Sequence, residues 1–213
     1  MSTYRSALLA GAEAMGLAIS DEVADGLAVH HALVEKWAKK INLTTVVEPT
    51  RAASVHGLDS LLFAELVEDD GGVTVDVGSG GGFPGIAVAL MRPSLSLVLL
   101  EPIRKRASFL RTVLAELGLK QVRVVEGKLE AAPLPGRIAW PVDRIVSRAT
   151  IPPVELATRA VKHLRPGGVL VLSGGAGAPS VEALAASGLV HEERRRYALP
   201  GGEGRVLDRL RAQ

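Results

Sequence analysis

Short apolar runs alternate with amphipathic stretches over most of this 213-residue chain. Runs rich in Val and Leu are typical of the buried strands of a parallel sheet, and apolar positions spaced by three or four residues predict helices between them. The alternation predicts an α/β fold, a mostly parallel twisted sheet with helices on both faces. The predicted strands cover residues 73–77, 95–100, 121–126, 144–147 and 169–172, and the helices between them cover 84–91, 105–117 and 154–164.

The two ends of the chain carry patterns of their own. Residues 4–40 have the apolar spacing of two helices and predict an N-terminal helical extension over residues 1–50. Near the other end, residues 192–198 and 205–210 flank a glycine-rich turn and predict a terminal antiparallel hairpin. We therefore expect the helical extension to be followed by an α/β domain over residues 51–213.

Composition excludes several kinds of site. The chain has no cysteine, which rules out disulfides, thiolate metal ligands and a cysteine nucleophile. Its five histidines are scattered without the spacing of metal ligands, so we expect no metal. No apolar stretch approaches the ~20 residues of a membrane span and no signal peptide is evident, so we expect a cytoplasmic protein with no membrane contact. The formal net charge of +2 is weak evidence for an anionic partner.

A burst of glycines follows the first predicted strand. Gly80, Gly82 and Gly85 match the G-x-G-x-x-G spacing of dinucleotide-binding loops. Starting from Asp76, the same segment matches D-x-G-x-G-x-G, which resembles the first motif of class I S-adenosylmethionine-dependent methyltransferases. Because glycine has no Cβ, such a loop turns tightly and lets the backbone approach a ligand. The loop predicts a nucleotide site and leaves two cofactors open, a nicotinamide dinucleotide and S-adenosylmethionine.

An acid at the end of the second strand supports a nucleoside ligand. Glu101 follows the run 95–100, where a carboxylate accepts hydrogen bonds from the ribose hydroxyls of either cofactor. Asp76 inside the loop, the Pro-Gly-Gly turn at 166–168 and the segment 143–148 at the fourth strand all favour S-adenosylmethionine. A dehydrogenase would also need a hydride-transfer site, for which little chain is left.

The chain resembles one family, the glucose-inhibited-division B proteins, which are bacterial S-adenosylmethionine-dependent methyltransferases of a guanine N7 in 16S ribosomal RNA. The resemblance covers most of the length and implies the Rossmann-like fold of class I methyltransferases. Two of its motifs, Asn-Leu-Thr and His-x-Leu-Asp-Ser, are not general methyltransferase features. The resemblance is carried by Asn42-Leu43-Thr44, His56 to Ser60, Asp76 to Gly85, Lys105-Arg106 with Phe109-Leu110, and Ser147-Arg148-Ala149.

The resemblance implies a set of residues at the cofactor. Gly78 and Phe83 match loop positions that contact S-adenosylmethionine in the family. Leu129 and Glu130 match the pair after the third strand that borders the adenine, and Arg148 matches an arginine at the face shared by cofactor and substrate. The predicted cofactor-binding residues are Asp76, Gly78, Gly80, Phe83, Glu101, Leu129, Glu130 and Arg148.

A basic cluster opens the helix after the second strand. Its positive side chains suit RNA phosphates, although a solvated helix face is the ordinary explanation of such a cluster. The resemblance adds Asn42, as a residue that orients the base, and His56 at the mouth of the site, for which a hydrogen-bonded non-catalytic role is an equal alternative. The predicted RNA-binding residues are Asn42, His56, Arg104, Lys105 and Arg106.

Two departures from the family pattern bear on this site. Glu101 stands where many members have Asp, and it offers a longer arm for the same ribose contact. Ser173 stands where many members have a lysine after the fifth strand. If that lysine grips RNA, this chain must do without it or use a nearby arginine.

The sequence therefore predicts an enzyme that transfers a methyl group from S-adenosylmethionine to N7 of a guanine in 16S ribosomal RNA, on the RNA itself or on the small ribosomal subunit. Guanine N7 carries its own lone pair, so we assign no residue to proton transfer. Two alternatives remain open. One is a class I methyltransferase of a small molecule or protein, which shares every cofactor feature, and the other is a non-catalytic nucleotide-binding module. The oligomeric state is also open.

Overall fold

A seven-stranded sheet lies at the centre of the part of the chain that the structure describes. The structure is a computed structural model that describes residues 2–130, 138–148, 151–174, 177–202 and 204–213. The strands are β1 (Val73–Val77), β2 (Ser96–Leu100), β3 (Val122–Val125), β4 (Val142–Arg148), β5 (Leu164–Ser173), β6 (Leu189–Ala198) and β7 (Gly204–Ala212).

The strands lie in the order β3-β2-β1-β4-β5-β7-β6. The strands β1 to β5 run parallel to their neighbours among themselves, whereas β7 pairs antiparallel with both β5 and β6. The predicted mostly parallel sheet and the terminal antiparallel hairpin are both confirmed. Because parallel strands end at the same edge of a sheet, the residues that follow β1, β2 and β4 meet there.

Helices pack on both faces of this sheet, and their ends follow from local sequence. The side chain of Ser20 accepts the N–H of Val23 (3.3 Å) and caps the helix that begins at Asp21. Gly118, with a φ of +65° in the left-handed region, ends the helix that begins at Arg104. In the described residues no helix is both long enough and apolar enough to cross a membrane. The helices are α1 (Thr3–Ala14), α2 (Asp21–Ala38), α3 (Pro49–Ala52), a π-helical turn (Ala53–Leu58), α4 (Asp59–Glu65), α5 (Gly85–Met91), α6 (Arg104–Leu117), α7 (Pro153–Ala160) and α8 (Val181–Ala185).

Both faces of the sheet are buried. Leu99 and Val171 pack with α5 and α6 on one side, whereas Ile145 and Leu170 pack with α7 on the other. All four side chains are 0% exposed. Burial on both faces explains why these strands are continuous apolar runs and do not alternate between apolar and polar residues.

The N-terminal helices join a third apolar core. Leu8 of α1 and Leu27 of α2 pack with Leu58, with Leu61 of α4 and with Ala87 of α5. This core contains residues from both sides of residue 50, so the N-terminal helices lie directly against the α/β part of the chain. The division of the chain into two domains at residue 50 stays a prediction.

Several local features differ from the sequence-based prediction, which also lacks α8. The helix predicted over 154–164 is too long, because α7 ends at Ala160 and Leu164 already pairs with Val142 in the sheet. The apolar spacing continues past the end of the helix, but pairing with a distant strand decides the conformation. The short helix α3 and the π-helical turn were not predicted.

Candidate functional site

The segment after β1 turns tightly at three glycines. Gly78, Gly80 and Gly82 have φ values of +72°, +53° and +92°, in the left-handed region that favours glycine. The N–H of Gly78 donates to the carbonyl of Leu100 at the end of β2 (2.8 Å). The loop therefore crosses the carboxyl edge of the sheet between β1 and β2 before α5 begins at Gly85.

Asp76 lies beneath this loop. Its side chain is fully buried, and its Oδ2 accepts the N–H of Gly85 (3.1 Å). Burial raises the pKa of Asp76 to about 7, against the opposing effects of Ser79, the Gly85 N–H and Arg148. A Cβ on Gly85 would lie 2.5 Å from Oδ2 and 2.4 Å from a methyl carbon of Leu99, so only glycine lets α5 begin so close. Asp76 thus supports the loop from below.

Glu101 holds the loop from the side. The carboxylate is 2% exposed; its Oε2 accepts the N–H of Gly80 (2.9 Å), and its Oε1 accepts the N–H of Ile103 (2.8 Å). Each carboxylate oxygen has a second lone pair, so each can accept one further donor. Glu101 therefore offers a pair of acceptors, which suits two neighbouring hydroxyl groups.

A cavity of about 310 Å³ opens above the glycine loop. We call it the loop cavity. Glycines of the loop and the acidic residue Glu101 line it, together with an aromatic residue and two arginines. Its lining includes Gly78, Gly80, Phe83, Glu101, Arg106 and Arg148.

A second cavity, of about 380 Å³, adjoins the first. We call it the arginine cavity, because Arg51, Arg148 and Arg205 all line it. His56 and Arg148 line both cavities. These two side chains therefore line the border at which the two cavities meet, and we call them the wall.

Close ring and guanidinium contacts build this wall. The ring of His56 is stacked on Phe83 with centroids 4.4 Å apart, and the guanidinium carbon of Arg148 lies 5.1 Å from the Phe83 centroid. Arg148 Nη2 donates to His56 Nδ1 (3.1 Å), which leaves Nε2–H to donate to Thr44 Oγ1 (3.0 Å). Burial, helped by the positive charge of Arg148, lowers the pKa of His56 to about 3. His56 is therefore neutral at physiological pH, and both of its ring nitrogens are engaged.

A basic groove of about 320 Å³ continues from the loop cavity. Its lining includes Lys40, Asn42, Ile103, Lys105 and Arg106, and both Ile103 and Arg106 also line the loop cavity. Arg106 donates from Nε (3.0 Å) and Nη2 (2.7 Å) to the carbonyl of Asn42. This contact fastens the segment after α2 to the start of α6, so the groove and the loop cavity share one rim.

The structure brings most of the sequence-predicted site residues together. Asn42 and Lys105 line the basic groove, and the side chain of Asn42 is exposed. Seven predicted residues line the loop cavity: Gly78, Gly80, Phe83, Glu101, His56, Arg106 and Arg148.

Four predicted residues line neither the loop cavity nor the basic groove. Asp76 is beneath the loop, and Leu129 is buried with its carbonyl accepting Arg159 Nη1 (2.9 Å). Glu130 and Arg104 are exposed. The roles assigned to these four stay predictions. The last residue of the predicted Ser-Arg-Ala motif, at position 149, lies outside the described residues.

Sequence reasoning missed two residues of the arginine cavity. Arg51 and Arg205 belong to no motif, and they come from opposite ends of the chain. Ser173, the position at which the family resemblance predicts a lysine, lines the same cavity and pairs with Arg148 across β4 and β5. The arginine cavity thus holds guanidinium groups near the position of the absent lysine.

Comparison with solved structures agrees with this architecture. A methyltransferase from Pyrococcus furiosus superposes with a TM-score of 0.59 at 16% identity, covering 88% of this chain and 96% of its own. TYW2 of M. jannaschii, solved in complex with AdoMet, gives a TM-score of 0.57 at 14% identity over 73% and 75% of the two chains. The strand order, the glycine loop after β1 and the acid after β2 are those of the class I methyltransferase fold.

The sequence comparisons name a narrower group. Residues 25–194 match the family model described as rRNA small subunit methyltransferase G. The ribosomal RNA small subunit methyltransferase G of Anaeromyxobacter sp. strain Fw109-5 is 33% identical over 99% of this chain and 98% of its own. The protein of that name from Neisseria meningitidis serogroup B is 39% identical over 76% and 75%. This chain belongs to the rRNA small subunit methyltransferase G family, as its motifs led us to expect.

Proposed function

We propose that this protein transfers the methyl group of S-adenosylmethionine to N7 of one guanine in the 16S ribosomal RNA of the small subunit, in the cytoplasm. The observation that carries the proposal is the pair of cavities that share His56 and Arg148 as a wall. One cavity offers acceptors for a nucleoside, and the other offers guanidinium donors for an anionic or carbonyl-bearing substrate. Membership of a family of ribosomal RNA methyltransferases supports the choice of substrate.

The loop cavity fits S-adenosylmethionine by the chemistry of its lining. The two free acceptor positions of Glu101 match the two ribose hydroxyls, and the glycines at 78 and 80 present backbone with no Cβ in the way. When bound, S-adenosylmethionine supplies an electrophilic methyl group on a positively charged sulfur. Phe83 and Arg148 would face the part of the cofactor nearest the shared wall.

The residues of the wall leave no group free to act as a general base. His56 accepts from Arg148 at Nδ1 and donates to Thr44 from Nε2, so neither nitrogen has an available lone pair. Guanine N7 already carries a lone pair in the plane of the ring, and its methylation needs no base. The contribution of this chain is therefore orientation, which can supply about 7–11 kcal/mol of a reaction barrier.

The arginine cavity suits a guanine that has left its stack. In A-form RNA the edge that carries N7 lies in a deep, narrow groove that side chains cannot reach, so the base must be unpaired or extruded. Guanidinium groups bind the guanine O6 and phosphate oxygens well. A donor on N7 itself would block its lone pair. Arg51, Arg148 and Arg205 would therefore bind O6 or a flanking phosphate and leave N7 open toward the loop cavity.

The basic groove provides a path for the RNA strand. Lys40, Lys105 and Arg106 line it, and cationic side chains in a groove track a phosphate backbone. The groove meets the loop cavity at Arg106, so a strand bound there passes the rim of the cofactor site. Asn42 lies on the same rim, held through its carbonyl by Arg106.

A methyl-transfer assay tests the proposal. Purified protein is incubated with S-adenosylmethionine carrying a labelled methyl group and with small subunits from cells that lack the family's modification. We expect label in 16S RNA at a single guanine, and mass mapping of nuclease fragments locates it on the base. Label in a protein or a small molecule, with none in the RNA, would show that the acceptor is a protein or small molecule and not RNA. Binding of the cofactor with no transfer to any acceptor would leave only a binding module.

A further inference from the structure

Arg148 is held by a cluster of partners from one short segment of the chain. Its Nη1 donates to the carbonyl of Val55 (2.8 Å) and to Oδ2 of Asp59 (2.9 Å), and its Nη2 donates to His56 Nδ1 (3.1 Å). Val55 and His56 lie in the π-helical turn, and Asp59 is the first residue of α4. The π-helical turn and the start of α4 therefore fix the orientation of the Arg148 guanidinium.

Asp59 is itself held from a third part of the chain. Its side chain is 0% exposed, and its Oδ1 accepts the hydroxyl of Tyr197 on β6 (2.5 Å). Burial and the neighbouring Asp59 carboxylate raise the pKa of Tyr197 well above its usual range. The phenol therefore stays protonated and keeps donating. One oxygen of Asp59 faces Arg148 and the other faces Tyr197, so the tyrosine fixes the rotation of the carboxylate.

Stability alone is a weak reason for this arrangement. A buried ion pair loses much of its Coulombic gain to the desolvation of both charges, and apolar residues of similar size often stabilise a core as well. A buried carboxylate that is bound at both oxygens does, however, set the direction of its partner. Here the partner is the guanidinium that lines both cavities.

We infer that Asp59 and Tyr197 are positioning residues for methyl transfer: they hold Arg148 in the wall between the loop cavity and the arginine cavity. The inference rests on the proposed function for its kinetic consequence and on the contacts above for its geometry. Neither residue lines either cavity, so both act through Arg148. The terminal hairpin thereby takes part in orienting the substrate through Tyr197.

Tyr197→Phe tests this inference with the smallest change. It removes one hydroxyl and keeps the ring, and the Asp59–Arg148 ion pair remains. The chain has two tyrosines, so Tyr4→Phe is a matched control: Tyr4 is buried and packs on the same π-helical turn, near Gly57. We expect Tyr197→Phe to lower kcat about tenfold, since small misplacements of orienting groups have effects of up to about 100-fold, with cofactor Kd unchanged. Tyr4→Phe should keep the wild-type kcat.

Nuclear magnetic resonance supplies a readout that does not need activity. The ¹⁵N signal of His56 Nδ1, assigned with His56→Gln, reports whether Arg148 still donates to it. We expect that signal to move toward the value of a nitrogen without a donor in Tyr197→Phe, further in Asp59→Asn, and not at all in Tyr4→Phe. An unmoved signal together with wild-type kcat in Tyr197→Phe would overturn the inference, as would equal losses of kcat in both tyrosine variants. A wild-type protein inactive on small subunits would count against the proposed function, and the His56 signal would still decide the positioning role.

Discussion

Two buried acids shape the glycine loop, and their surroundings give them different tasks. Asp76 meets the loop from below and has its pKa raised to about 7 by burial, whereas Glu101 lines the loop cavity with an acceptor position left on each oxygen. Sequence patterns identified both residues, because an acid in the loop and an acid after the second strand are local signals. The patterns could not show that Asp76 supports the loop whereas Glu101 is placed to contact a ligand, because that difference depends on which side of the loop faces the cavity.

Glu101→Gln tests the contact role. The substitution keeps the shape, removes the charge and leaves one acceptor where there were two. A hydrogen bond to a charged group contributes about 1.5–3 kcal/mol, so we expect the Kd for S-adenosylmethionine to rise about 10- to 100-fold by calorimetry. Glu126→Gln is the control, because Glu126 lies just beyond β3 in a surface ion pair with Arg111 (2.8 Å). Equal affinities in the two variants would reduce Glu101 to an anchor for the loop.

His30 makes stability depend on pH. It is 1% exposed, its Nε2 lies 2.7 Å from the carbonyl of Gly81, and burial lowers its pKa to about 4. In the unfolded chain the pKa is about 6.5, so below that pH the unfolded state binds a proton that the folded state does not. The free energy of unfolding therefore falls as pH drops from about 6.5 toward 4.

His30→Leu removes this titration. Urea unfolding at pH 7 and pH 5 should show a smaller loss of stability in the variant than in the wild type, by up to about 1.4 kcal/mol per pH unit. The comparison uses the change in the free energy of unfolding between the two pH values, because the lost hydrogen bond to Gly81 lowers stability at both. Parallel slopes would show that His30 takes up its proton in the folded protein too.

At the scale of elements, the junction of β1, the glycine loop and α5 depends on close approach. The strand at 73–77 was predicted with its observed bounds, and the predicted helix at 84–91 matches α5 closely. The bounds of β1 and α5 could be predicted because a short apolar run and the glycines after it are local features of the sequence. The π-helical turn at Ala53–Leu58 has no such signature, because its residues continue the helical pattern into α4 and only the backbone hydrogen bonds differ.

Gly85→Ala probes the junction. Its Cβ would meet Asp76 Oδ2 at 2.5 Å and Leu99 at 2.4 Å, so we expect a loss of about 1–3 kcal/mol in the free energy of unfolding, measured with urea. Gly204→Ala is the control, since a Cβ there would meet no atom of a described residue beyond its chain neighbours within 4 Å. Similar stabilities for the two variants would mean that α5 shifts at little energetic expense.

At the scale of the whole molecule, the arginine cavity exists only because of the strand order. With β7 between β5 and β6, Leu207 pairs with Ser173, which in turn pairs with Arg148. Arg205 lies two residues before Leu207 on the same strand and so reaches a cavity whose other residues come from far along the chain. No single-sequence pattern encodes such a neighbourhood, which is why Arg51 and Arg205 were missed.

Arg205→Gln tests whether this neighbourhood serves the substrate. We expect kcat/KM for the small subunit to fall about 10- to 100-fold, the effect of one charge-assisted hydrogen bond, with the cofactor Kd unchanged. Arg196→Gln, an exposed arginine on the neighbouring strand, should have little effect. A loss shared by both variants would indicate general attraction to RNA and no specific contact in the cavity.

We expect the loop cavity to hold the methyl donor beside His56 and Arg148, at its border with the arginine cavity. A crystal structure of the protein with S-adenosylhomocysteine and a guanine nucleotide measures this directly. We predict the ribose on Glu101, the sulfur facing the wall of Arg148 and His56, and the guanine in the arginine cavity with N7 toward the sulfur. A cofactor bound elsewhere, or a sulfur facing away from His56 and Arg148, would contradict this assignment of the two cavities.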